Sequence, residues 1–210
     1  MSAKPSIDHP GGLISSPAAY LMNCTGRNFH KVSGFETKGG FSLLQKEYEN
    51  PGGKPFPNCT PTALVNAIGF YRGRWPQIPE EPKGIYQLFR GHIRLLRTSF
   101  PGIGGYPAFL NAAAARRLWR LLGIDAWPCV YPFPSAKTLR ELMDRKKAPL
   151  VLSIWSKAYL GHSVVLLGWE LWGDGQTNRL FWRIQDGWQR APRYLDANAV
   201  SIWQAILMAK

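Results

Sequence analysis

A cysteine, a histidine and an aspartate are the residues of this chain best suited to covalent chemistry. Cys59 lies in "KPFPNCTPTALVNAIGFY" (Lys54 to Tyr71), between a proline-rich loop and a segment of helical periodicity. At a helix entrance, unpaired backbone N–H groups and the positive end of the helix dipole stabilise a thiolate, the nucleophilic form of cysteine. His162 opens the β-rich run "HSVVLLGWELW", Asp186 follows "RLFWRIQ", and "GDGQTN" between them carries the Asp-Gly signal of a reversing turn. A hairpin centred on Asp174 sets His162 opposite Asp186, with Cβ atoms about 4.5–5.5 Å apart. A carboxylate there accepts the imidazole N–H, fixes its tautomer and holds it for proton transfer. Taken singly, Cys59 reads as a small buried hydrophobe, His162 as a satisfied histidine at a strand start, and Asp186 as a turn carboxylate. Together they are nucleophile, general base and orienter, the three parts of a covalent acyl-transfer site.

The elements that must position them fall into three sections. Residues 1 to about 58 are rich in Gly, Pro and Ser and read as loop, with short extended candidates in "FHKVSGF" and "FSLLQ". Residues 59 to about 147 are helical. The first helix spans Pro61 to Arg72, with Thr60 as cap, Pro61 in the first position, an apolar face of Leu64, Ile68 and Tyr71, and Gly73 as its end. The second covers Gly84 to Arg97, the third Pro107 to Leu122, and the fourth starts at the cap Ser135 and stops before Ala148-Pro149. From residue 148 to 210 the pattern is strand, in "PLVLSIW", "HSVVLLGWELW" and "RLFWRIQ". Helices followed by an antiparallel sheet predict an α+β fold, one domain over 1–210 with a helical layer on the sheet.

Composition narrows the classes. Hydrophobic residues make up 45% of the 210 and charged residues 19%, which is globular, not disordered. The formal charge of +13 favours an anionic partner without selecting one. Its Lys and Arg are dispersed, and no helix-turn-helix, zinc or RNA-recognition signature accompanies them. Three cysteines, Cys24, Cys59 and Cys129, are too few for a disulfide framework and lack metal spacing, so a reduced compartment is expected and Cys24 and Cys129 read as structural. No signal peptide or membrane-length apolar run is visible, so the expectation is a soluble cytoplasmic protein. His9, His30 and His92 receive no role, His92 reading as a packed histidine. Trp119, Trp155, Trp169, Trp182 and Trp203 are expected in the core or at a lobe interface.

At these residues the sequence resembles the papain-like cysteine peptidases. "GHSVVLLGWE" looks like that family's histidine strand, and "DGW" (Asp186, Gly187, Trp188) like its Asn-Ser-Trp segment, in which the Trp shields the histidine contact from water. The order Cys, His, Asp agrees. "NCTPTALVNAIGFY" is similar to the Cys-Gly-Pro-Thr helix start of a bacterial branch, the double-glycine leader peptidases of bacteriocin exporters. "LRELMDRKKAPLVLSI" also looks like that branch, so the resemblance covers roughly residues 40 to 190. Thr60 stands where the branch has Gly. The family's oxyanion-hole Gln lies a few residues before the Cys, whereas here the upstream Gln is Gln45; Asn58 is the rival donor, beside the Cys59 N–H.

The resemblance implies a papain-like thiol hydrolase, a peptidase or amidase acting on a peptide or protein through a thioester acyl-enzyme. Cys59 would be the nucleophile, His162 the base and Asp186 its orienter, with no cofactor or metal. Two other readings use the same residues: a catalytically silent peptide-binding module, and an acyltransferase to amines. A basic nucleic-acid-binding or envelope-binding protein is the reading that rests on charge alone.

Overall fold

Capping chemistry sets the helix ends. In the computed structural model, which describes residues 13–48, 58–93 and 108–209, Ser16 accepts from the Ala19 N–H, Pro17 takes the first helical position, and the Gly26 N–H closes on the Met22 carbonyl. These residues bound α1 (Pro17–Thr25), which corrects the loop reading of the N-terminal section. The Ser, Pro and Gly that look like loop composition are its caps. Strand β1 (His30–Glu36) follows, matching "FHKVSGF", but "FSLLQ" forms no strand and runs into a 3₁₀ turn at Gln45–Tyr48.

Helix α2 (Cys59–Ile68) begins two residues before the expected Pro61, because the Thr62 N–H already bonds the Asn58 carbonyl at 3.0 Å. Asn58 is therefore the cap and Cys59 the first helical residue. Pro61 falls in the first turn, where its missing N–H leaves nothing unsatisfied. Helices α3 (Pro82–Ile93) and α4 (Ala108–Leu121) follow; the expected extension of the second helix to Arg97 and the start of the third at Pro107 lie outside the described residues. Strand β2 (Cys129–Pro132) precedes α5 (Ala136–Lys146), which Ser135 caps by accepting from the Thr138 N–H at 3.1 Å. Strands β3 (Leu150–Trp155), β4 (His162–Gly173), β5 (Asn178–Gln185), β6 (Arg193–Asp196) and β7 (Ser201–Leu207) complete the chain.

The result is an α+β fold built on one antiparallel sheet in the order β2-β7-β3-β4-β5-β6, with β1 pairing the far half of β4. Helices do not all precede strands: β1 and β2 come from the first two sections and join the sheet at β4 and β7. α2 packs on β3 and β4, α3 and α4 pack on α2, and α4 also meets β7. One apolar cluster joins Leu64, Ile68, Phe89, Leu118 and Trp119 of the helices to Leu152, Val164 and Ile206 of the sheet. A smaller one, with Ile14, Tyr20, Leu21, Phe29 and Phe181, fastens α1. Among the described residues no helix is long and apolar enough to cross a membrane.

Two expectations about side chains change. Trp119, Trp169 and Trp182 are buried, but Trp155 and Trp203 are 42% and 50% exposed. Trp155 ends β3, and Trp203 sits where the β3–β7 register shifts, so both reach solvent and stack on each other. Cys24 is exposed on α1 and not packed, while Cys129 is half-buried. His30 is exposed; His9 and the side chain of His92 lie outside the described residues.

Candidate active site

Cys59 is the first residue of α2 and is buried against the start of β4. Burial alone would raise its thiol pKa. A hydrogen bond from His162, the charge on that ring, and the backbone N–H groups of Ser163 and Thr60 outweigh this and pull it down to about 7. His162 shifts the other way: burial opposes its cationic form, yet its contact with the Cys59 sulfur, then the Asp186 carbonyl and carboxylate, raise its pKa. Each group stabilises the other's charged state.

The expected register of the β4–β5 hairpin does not hold. Gly173 pairs with Asn178 around a four-residue turn, in which Asp174 Oδ1 accepts from the Gln176 and Thr177 N–H groups at 2.9 and 2.7 Å. A second slip lies between Leu166 and Gly168, and pairing ends at Val165 and Gln185. His162 is thus paired with Ile154 of β3 and not with Asp186. The turn is longer than a two-residue loop because the Asp174 carboxylate organises it, and its centre moves past Asp174.

Asp186 still reaches His162, by its main chain. His162 Nε2 lies 2.8 Å from the Asp186 carbonyl oxygen. A carbonyl accepts only, so Nε2 carries the hydrogen and Nδ1 is the nitrogen left for the thiol. The Asp186 carboxylate turns elsewhere. Its Oδ2 accepts from Tyr159 Oη at 3.0 Å and Arg193 Nη1 at 2.9 Å, and its Oδ1 from the Trp188 and Gln189 N–H groups at 2.9 and 3.4 Å. These bonds fix the turn that presents the carbonyl. Tyr159 and Arg193 are site residues the sequence reading missed. Tyr159 had one visible signal, its place three residues before His162; Arg193 had none, because β6 was not recognised.

Two aromatic rings, themselves in contact, pack against the imidazole from adjacent directions. Tyr159 stacks on it with centroids 5.2 Å apart and planes 9° from parallel, and Trp188 lies against it at 4.9 Å. Tyr159 and Trp188 also touch each other at 4.9 Å. Burial and the neighbouring Asp186 charge keep the Tyr159 phenol protonated by raising its pKa.

The two oxyanion candidates form one unit despite their separation in sequence. Asn66 of α2 accepts the Leu43 N–H at 2.8 Å and donates to its carbonyl at 3.1 Å, which lays the loop before Gln45 along the helix. Asn58 Nδ2 donates to the Gln45 carbonyl at 2.8 Å, and the Gln45 N–H to the Gly187 carbonyl at 2.8 Å. Gln45 Nε2 donates to the Asp186 carbonyl at 3.2 Å and lies 3.3 Å from His162 Nε2. Since both nitrogens carry hydrogen, the latter approach is a contact and not a hydrogen bond. Asn58 thus anchors Gln45, whose amide keeps a second N–H for a ligand. Thr60 does not crowd the thiol: its Oγ1 bonds Ser163 Oγ at 2.7 Å in the buried junction of α2 and β4.

Among the described residues no three His, Cys, Asp or Glu side chains gather as metal ligands. Chemically, the site offers a thiol drawn towards ionisation by an imidazole whose far nitrogen is pinned. A scan against protein-family models matches no family, and no curated protein matches the chain.

Proposed function

We propose that the protein is a thiol hydrolase of papain-like architecture, acting on peptide or related amide bonds. The observation that carries this reading is the buried contact of Cys59, the first residue of α2, with His162, whose Nε2 is fixed 2.8 Å from the Asp186 carbonyl oxygen; this contact draws the thiol down to about 7 and the imidazole up. A buried cysteine kept only for packing moves the opposite way.

In this mechanism the Cys59 sulfur attacks the carbonyl carbon, and the carbonyl oxygen takes up the electron pair. That oxygen meets the Cys59 N–H, which has no intrahelical acceptor because it belongs to the first turn, and the remaining N–H of Gln45. The tetrahedral species collapses to a thioester as the C–N bond breaks, and the proton on His162 Nδ1 passes to the leaving amine. A water then gives its proton to Nδ1 and attacks the thioester, releasing the acid and restoring the thiol. Throughout, the Asp186 carbonyl holds Nε2–H, so the ring acts through Nδ1 alone.

Two observations favour a second reading, a silent peptide-binding module. Gln45 already donates to the Asp186 carbonyl, and Cys59 is buried. Iodoacetamide labelling followed peptide by peptide across pH about 4–9, with Cys24 and Cys129 as references, separates the two. Fast labelling of Cys59 at pH 7 that is lost in His162→Ala supports the hydrolase. Labelling no faster than at the reference thiols overturns it in favour of the binding module.

A further inference from the structure

The turns at one end of the sheet carry apolar side chains into solvent. β2, β7, β3, β4 and β5 run antiparallel in that order, so the end of β2, the start of β7, the end of β3, the start of β4 and the end of β5 lie together. This is the end that holds His162 and Asp186. Among the described residues, five of the ten large apolar side chains that face solvent are here: Phe133, Trp155, Leu160, Trp188 and Trp203. Phe133 is 79% exposed and Leu160 65%. Trp155 and Trp203 stack with planes 5° from parallel, and Phe133 donates its N–H to the Trp203 carbonyl at 2.9 Å. Gly161 lies against the Trp155 ring, which a Cβ there would approach to 3.3 Å. The row therefore runs from the end of β2 to the loop before His162.

Two of these side chains are held out against their backbone preference. Phe133 and Leu160 have φ of +44° and +45°, the left-handed region that a Cβ disfavours. The loop of Leu160 is nonetheless tightly closed. Its N–H bonds the Ser156 carbonyl at 2.9 Å, and Ser156 Oγ accepts from the Ala158 and Tyr159 N–H groups, each at 3.2 Å. Bulky apolar residues fixed in a disfavoured conformation and turned to water mark a contact surface.

Edge chemistry and charge identify the occupant. β2 is an edge of the sheet, and because the Phe133 N–H faces β7, alternation turns Val130 and Pro132 outward. Pro132 has no N–H, so this edge is unsuited to a further strand from a peptide or a second copy. A nucleic acid would need a basic track beside the rings. In the turns 133–135, 156–161, 186–192 and 197–200 the cations are Lys157 and Arg190, both exposed, and Arg190 is paired with Glu47 at 2.6 Å. The one acid in these turns, Asp186, is buried and held by Arg193. The row of apolar tips thus carries no exposed acid, on a chain of formal charge +13. That combination fits the boundary between anionic headgroups and acyl chains, where indoles are favoured and positive charge is attracted. We propose that this end of the sheet docks on an anionic bilayer surface and inserts Phe133, Trp155, Leu160 and Trp203. The proposal goes beyond the hydrolase reading and does not depend on Cys59 being a nucleophile.

Sedimentation with vesicles tests it, comparing equal parts of phosphatidylcholine and phosphatidylglycerol with phosphatidylcholine alone. The expected result is co-sedimentation with the mixed vesicles that weakens as salt rises and is much weaker on the uncharged ones. F133N/L160N removes two apolar tips and supplies a residue that accepts the left-handed conformation. Its Tm should hold, and its affinity for the mixed vesicles should fall at least about tenfold. Brominated acyl chains should quench the tryptophan emission of the bound wild-type protein more than that of W155A/W203A. Binding to neither vesicle, equal binding to both, affinity unchanged in F133N/L160N, or equal quenching with and without the two indoles overturns the proposal. So does self-association, or binding of a single-stranded oligonucleotide, that F133N/L160N abolishes while vesicle binding persists.

Discussion

Asp186 meets His162 through its main-chain oxygen, 2.8 Å from Nε2, while its carboxylate is held by Arg193 and Tyr159. The side chain expected to orient the base thus acts one bond removed, by fixing the turn whose carbonyl does so. Identity of the side chain and geometry of the backbone are separable here, and substitution separates them.

Asp186→Asn keeps an oxygen for the Trp188 N–H but removes the charge facing Arg193, whose side chain is 18% exposed against 1% for Asp186. Breaking such a mostly buried pair costs about 3 kcal/mol, equivalent to a fall in Tm of roughly 6–12 °C for a chain of this size. The Asp186 carbonyl remains and only the carboxylate's smaller charge effect on His162 is lost, so the midpoint of Cys59 alkylation should stay near 7. Calorimetry and labelling on the same variant check both parts. A midpoint that climbs to the ordinary thiol range would mean that the carboxylate itself orients the ring.

His162→Ala tests the ion pair. The Cys59 pKa is about 7 in the fold and about 8.5 in an unfolded chain. The thiolate is therefore favoured by the fold, and the stabilisation is present above the unfolded value and lost as pH falls through 7. Without His162, burial remains and pushes the thiol above its ordinary value. At pH 7 the thiolate fraction drops from about one half to about 3% or less, so the iodoacetamide rate should fall at least about 15-fold. At pH 7.5 the wild-type protein should likewise have a larger thiolate fraction at Cys59 when native than when unfolded in urea.

How much of this was legible depended on whether local signals decided the structure. Caps and periodicity gave α2, α4 and α5 within a few residues, because Ser135, Gly123 and the apolar spacing act locally. The same signals at Ser16, Pro17 and Gly26 were overridden by composition. The partnership of His162 with Asp186 was anticipated from a hairpin, but the register was not, since the Asp174 turn and the slip near Gly168 move it. Tyr159, Arg193 and the return of Gln45 depend on contacts among distant segments, such as Asn66 with Leu43, which no short window carries.

Thr60→Val addresses the departure from the glycine of the resembled helix start. The Thr60 and Ser163 hydroxyls bond at 2.7 Å in a buried junction. Valine keeps the shape and leaves Ser163 without that partner, which costs about 1–3 kcal/mol. Denaturant unfolding should report that loss, and the alkylation midpoint should move little because the bond does not involve the sulfur.

Gly187→Ala probes the Gln45 amide from behind. Gly187 has φ +74°, a left-handed conformation that costs an alanine about 1–2 kcal/mol. The added Cβ would lie 3.2 Å from both Gln45 Nε2 and Thr62 Cγ2. The flexible Gln45 side chain is the neighbour able to yield, and it would leave the Asp186 carbonyl and the position from which its free N–H faces a developing oxyanion. If that N–H serves the reaction, Gln45→Ala and Gly187→Ala should each lower turnover of a cleaved peptide by roughly 100-fold. Iodoacetamide labelling, which develops no oxyanion, should change far less in both. Equal losses in turnover and labelling would instead place Gln45 in the support of His162.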